Sequence, residues 1–163
     1  MRIHALKWAA AAVLLMIGIS AHAQTWSSPI QLHNGDAYGG YTCAAPWEML
    51  YMDDGYFPIY TPSNVYTINQ IAVQRPHQPP PQLVPFQINM TPYGADLALW
   101  VCQSRSGNIV RGCVDVSDNY GIGVSEHVTV PAQWGWYYVI VTGNTGQQYP
   151  MCGQYFLTAV EGY

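Results

Sequence analysis

The sequence predicts an all-β fold, a sandwich or a barrel, and three observations predict it. Apolar and polar residues alternate over short runs, as in half-buried strands. Gly, Pro and Asn interrupt those runs at short intervals. Tyr, Trp, Val and Thr, which fit a pleated surface, are abundant. No run has the spacing of a long amphipathic helix.

Residues 1–23 read as a signal peptide. Arg2 and Lys7 give a basic start, Trp8 to Ser20 an apolar core, and Ala21-His22-Ala23 a small-x-small cleavage signal before Gln24. The apolar run is shorter than the roughly 20 residues that cross a bilayer. The expectation is therefore export, to the periplasm or the medium, with no membrane contact after cleavage. A lipoprotein would show Cys where Gln24 stands. The remaining chain suits one domain.

Residues 24–63 read as an aromatic-rich N-terminal extension packing on a sandwich formed by residues 64–163. Within the extension, Asp53-Asp54-Gly55 suggests a turn between two short strands. "NVYTINQIAVQ", Asn64 to Gln74, reads as a strand whose parity changes near Asn69, which suggests a bulge. "RPHQPPPQLVP", Arg75 to Pro85, holds five prolines and reads as a stiff, extended connection. In "VPFQINM", Val84, Phe86, Ile88 and Met90 share one face, with Gln87 and Asn89 on the other. "ADLALWV", "NIVRGCVDV", "VSEHVTV", "WYYVIV" and "CGQYFLTAV" then read as five more strands.

The four cysteines are even in number in a chain expected to be exported, so two disulfides are the default. Three pairings are possible. Cys102–Cys113 would close a short loop between neighbouring strands, and Cys43–Cys152 would tie the N-terminal segment to the last strand. There is no C-x-x-C pair or nearby His to suggest zinc. Without residues 1–23 the cations are Arg75, Arg105 and Arg111 against nine acids, a formal charge of −6. That balance excludes a partner clamped by its phosphates, such as nucleic acid, and an anionic lipid surface.

Three stretches carry a family resemblance: "GADLALWV" with its acid and alternating leucines, "EHVTVPAQWGWYYVIVTG" from Glu126 to Gly143, and the closing "CGQYFLTAV". In order and spacing they resemble the bacterial pre-peptidase C-terminal domain family over about the last hundred residues. The resemblance implies a jelly-roll-like β-sandwich with an accessory, non-catalytic role beside secreted peptidases, some relatives binding collagen or other extracellular polymers. Ala98 stands where the family often has a second acid. No peptidase domain precedes the module in this sequence.

Strand alternation divides the motif residues between two faces. Leu97, Leu99 and Val101, with Tyr137, Val139 and Val141 and with Tyr155, Leu157 and Ala159, should face inward. The opposite parity holds Asp96, Ala98 and Trp100; Trp136, Tyr138 and Ile140; and Phe156, Thr158 and Val160. That set is too apolar for a wet sheet face. It should be covered by the N-terminal extension, form a subunit interface, or bind something. Trp100, Trp136, Tyr138 and Phe156 are the candidate binding residues, as aromatic contact area.

The expected function is a non-enzymatic exported module that binds an extracellular or periplasmic protein or polymer. An inhibitor or chaperone-like accessory of a secreted peptidase, and a homo-oligomer using the sheet face, are the alternatives. Ser125-Glu126-His127 alternate across a strand and cannot form a nucleophile relay. His33 and His77 lie in loop-like sequence, away from any acid or cysteine pattern. Asp53, Asp54, Asp115 and Asp118 are loop acids that could ligate calcium, without EF-hand spacing. No other cofactor is expected. Asp96 reads as a strand-entry acid that braces the turn near Tyr93-Gly94.

Overall fold

The computed structural model describes residues 28–50, 59–70, 83–106, 109–143 and 152–162. The leader, the Asp53-Asp54-Gly55 turn, His77 and most of the proline-rich connection lie outside the described residues. Among the described residues ten strands follow in order: β1 (Ile30–Gln31), β2 (Asp36–Tyr41), β3 (Trp47–Leu50), β4 (Ile59–Gln70), β5 (Phe86–Tyr93), β6 (Leu97–Ser106), β7 (Ile109–Ser117), β8 (Glu126–Val130), β9 (Gly135–Gly143) and β10 (Gln154–Glu161). One turn of 3-10 helix, Thr42–Ala44, separates β2 from β3. The fold is an all-β sandwich with two disulfides.

One sheet has four antiparallel strands in the order β2-β10-β5-β8. The other runs β1-β4-β3-β7-β6-β9, and a further pairing of β4 with β9 closes five of its strands into a ring. The main core lies between the sheets. Leu97, Leu99 and Val101 of β6 and Tyr137, Val139 and Val141 of β9 meet Ile88, Met90, Tyr155, Leu157 and Ala159 there. Alternation predicts these inner faces.

The described residues of the N-terminal part supply strands to both sheets rather than a layer across them, with β1 and β2 at sheet edges and β3 between β4 and β7. β4 runs unbroken through Ser63 and Asn64, where the sequence suggests a boundary. The expected bulge near Asn69 is absent, because β4 keeps register with β9 from Ser63 to Gln70. The parity changes there because Gln70 is a buried polar residue, its Nε2 donating to the carbonyls of Val84 and Pro131. The register shift falls instead between Val101 and Cys102.

Two local devices hold β2 to β10. Cys43–Cys152 closes a loop of 109 residues, which in the chain-entropy picture stabilises by about 4–5 kcal/mol. Beside it, Thr42 donates its N–H to the Gly153 carbonyl at 3.0 Å, and Gly153 N–H donates to Thr42 Oγ1 at 3.0 Å. Gly40 must lack a side chain, since a Cβ there would stand 2.1 Å from the Tyr155 ring. That ring passes over Gly40 so that its hydroxyl, deep in the core, meets Tyr66 Oη at 2.8 Å and accepts from Asn64 Nδ2 at 2.9 Å. Burial, and then the neighbouring Tyr66, push the Tyr155 phenol well above its ordinary pKa.

Candidate functional site

The four candidate aromatics do not form one surface. Trp100 is 4 % exposed and packs with Val65, Ala98, Cys102 and Ile140 in a second core, against which Tyr138 and Cys113 also lie. Its Nε1 donates to Thr142 Oγ1 at 2.9 Å, which satisfies the indole away from water. These residues have the parity that alternation assigns to the outside. The closed ring explains the discrepancy: the face of β4, β6 and β9 turned from the four-stranded sheet is the inside of the ring. The Cys102–Cys113 disulfide joins β6 to β7 at this core.

Trp136 shares that side of β9 but lies beyond the last β6 pair, Cys102 with Tyr138, and is 51 % exposed. Phe156 belongs to the other sheet, with the main core between it and the tryptophans. Trp100 is therefore a core residue, Tyr138 is half-buried against that core, and Trp136 and Phe156 sit on opposite sides of the sandwich.

Phe156 leads to a different site. Gln154 pairs with Tyr41 on one side and Tyr93 on the other, and Phe156 pairs with Gly39 and Thr91. Pairing sets these residues in two adjacent rows across β2, β10 and β5, all on the outer face. Tyr41, Tyr93 and Phe156 are 44 %, 56 % and 44 % exposed. They flank an open trough of about 350 Å³ lined by Gly39, Gly40, Tyr41, Tyr93, Gln154, Tyr155 and Phe156. Strands about 4.8 Å apart place Tyr41 and Tyr93 roughly 10 Å from each other. No charged side chain lines the trough. Polar residues continue the face. His127 Nδ1 lies 2.8 Å from Asn89 Oδ1, and Thr129 Oγ1 donates to Gln87 Oε1.

Tyr93 was within reach of the sequence pattern, because Gln87, Asn89 and Thr91 set its parity. Tyr41 and Gly39 were not, since a run with two glycines and an aspartate, "DAYGGY", reads as loop.

The acids have structural partners. Asp115 Oδ2 accepts from Thr129 N–H at 2.7 Å. Buried Glu126 accepts from the Ser117 hydroxyl and from Asn119 N–H and Nδ2. Burial pushes the Glu126 carboxyl up, and those hydrogen bonds partly offset the push. Asp118 is raised too, by burial and then by the carboxylate of buried Asp96. Among the described residues, no three His, Cys, Asp or Glu side chains converge as metal ligands. Asp53 and Asp54 lie outside them.

The side chains of Ser125, Glu126 and His127 reach three separate partners: Thr91, the Ser117–Asn119 turn and Asn89. His33 is less isolated than its sequence context suggests. Its N–H donates to Asp36 Oδ2 at 2.7 Å, and its Nδ1 lies 3.3 Å from the same oxygen. Among the described residues, no helix is long and apolar enough to cross a membrane.

No family model matches the chain, and no curated protein matches it. Among solved structures, the pre-peptidase C-terminal domain of a collagenase from Bacillus anthracis is similar to it. The TM-score is 0.46 at 15% identity, over 81% of this chain and 94% of that one. At this identity the likeness reaches no individual site residue.

Proposed function

We propose that the chain is an exported, non-catalytic β-sandwich module that binds an extracellular or periplasmic polymer or protein through the outer face of its four-stranded sheet. The observation that carries this reading is the trough, where Tyr41, Tyr93 and Phe156 stand half-exposed around exposed Gly39. Large aromatic side chains half-exposed on a wet sheet face forgo about half of a burial worth roughly 1.5–3 kcal/mol each. A ligand that covers them recovers that free energy. Gly39 lets a flat group approach the backbone, and Gln154 and Thr91 supply uncharged donors and acceptors beside the rings. A ligand with flat apolar faces and neutral hydrogen-bonding groups fits, as a glycan or an uncharged extended peptide would present. Two disulfides suit folding in an oxidising compartment, in keeping with the leader-like residues 1–23.

The test is sedimentation of the protein lacking residues 1–23 with insoluble polysaccharides and extracellular matrix proteins. Tyr41→Ala with Phe156→Ala should abolish retention on whichever material binds the wild type, while Trp136→Ala leaves it intact. Retention unchanged in the double variant would remove the trough as the site.

A further inference from the structure

The two edges of the four-stranded sheet differ in their backbone hydrogen bonding. In an antiparallel pair, alternate residues turn both N–H and C=O toward the neighbour. Thr42 N–H bonds the Gly153 carbonyl, so Thr42, Gly40 and Tyr38 face β10. Ala37, Gly39 and Tyr41 then turn their N–H and C=O groups away from the sheet. They are solvent-exposed, and β10 is the only strand that pairs with β2 among the described residues.

The side chains on this strip are a methyl group, a hydrogen and a phenol. The edge carries no Lys, no Pro and no bulge, the devices that usually protect one.

We propose that the free edge of β2 pairs antiparallel with β2 of a second copy of this chain, joining two four-stranded sheets into one of eight strands. A two-fold axis at Gly39 makes the strip self-complementary. Gly39 then faces Gly39, and Ala37 faces Tyr41 in both directions. All three outward residues become mutual hydrogen-bonding pairs, which gives six bonds across the seam by the antiparallel rule. Side chains fit the same register, since each Tyr41 lies beside an alanine methyl and the axis meets only glycine.

Charge agrees with this register. Asp36 falls opposite Thr42 of the other copy, so no two carboxylates are opposed. No ion pair crosses the seam, and each copy is net negative. Added salt should therefore tighten the dimer by screening repulsion. The outer faces would also join, setting two aromatic troughs on one continuous sheet. This pairing stands independently of what the troughs bind.

Light scattering and sedimentation velocity over a wide concentration range supply the test. The wild type should reach a dimer, more readily at higher salt. Gly39→Pro removes the central N–H, which faces away from β10, so the fold should persist while the dimer is lost. Gly39→Lys sets two like charges on the axis and should act the same way. In wild-type amide exchange, Ala37, Gly39 and Tyr41 should be slow in the dimer and fast in the monomer. Tyr38 and Gly40 should be slow in both.

A wild type that stays monomeric overturns the proposal. So does a dimer that survives both Gly39 substitutions, or one dissolved by Phe156→Ala alone, which would mean pairing through the face. Edge amides protected only by an added extended peptide would also overturn it, by assigning the edge to another chain.

Discussion

The edges at β2 and β8 bound the same sheet and are finished in opposite ways. At β8 the outward N–H groups of His127 and Thr129 are taken by Ser117 Oγ and Asp115 Oδ2, side chains of β7 in the other sheet. That edge is closed and ties the two sheets together. At β2 the inner side is fixed by Tyr155 and a disulfide, while among the described residues no strand or side chain caps the outer strip of Ala37, Gly39 and Tyr41. An edge closed by side chains ties up two half-buried acceptors but cannot recruit a strand. An edge left open needs a partner or a reason to stay unpaired.

The largest expected effect probes the two sides of β2. Gly40→Ala places a methyl inside the Tyr155 ring and should cost about 3 kcal/mol or more, or prevent folding. Gly39→Ala, one residue away on the free side, should change stability by less than about 0.5 kcal/mol. Urea midpoints of the two variants check this, and equal losses would break the distinction between the sides.

Next comes the closed edge. Asp115→Ala strips the acceptor from Thr129 N–H and should cost about 1–3 kcal/mol. If side-chain capping is what keeps β8 solitary, this variant with Ser117→Ala should also form assemblies larger than a dimer, visible by light scattering.

Glu126 gives a smaller effect with a defined sign. Its carboxyl is raised by burial, so the folded state holds this proton to higher pH than the unfolded chain does. The associated stability is fully present below the ordinary carboxylate range and is lost as pH rises through the raised value. Asp118 acts in the same direction. The urea midpoint should therefore rise as the solution is acidified from neutrality toward that range. Glu126→Gln should flatten the rise and cost about 1–2 kcal/mol through lost acceptors.

Phe156→Ala stands last for stability. It removes a half-exposed ring from the free face and should cost less than about 1 kcal/mol, while ligand retention falls.

Alternation in "ADLALWV", "WYYVIV" and "QYFLTAV" made the main core legible, because a strand's side-chain direction is a local property. The same alternation misplaced Trp100. Its parity is outward with respect to the sandwich, yet the β4–β9 pairing turns that outside into the interior of a ring. Nothing within β6 records that closure. Phe156 was legible as an outward aromatic, but its neighbours were not. Tyr41 lies on a glycine-rich stretch that becomes a strand only by pairing with β10, more than a hundred residues later.

By itself, then, the sequence determined the strand content, the period that sorts each strand's two faces, and the cysteine inventory. These follow from backbone geometry and composition. The tertiary structure alone decided which outward face is covered, which aromatics share a surface and which edge has no strand beside it among the described residues. Each depends on strand order and closure, which are set by contacts between segments far apart in the chain.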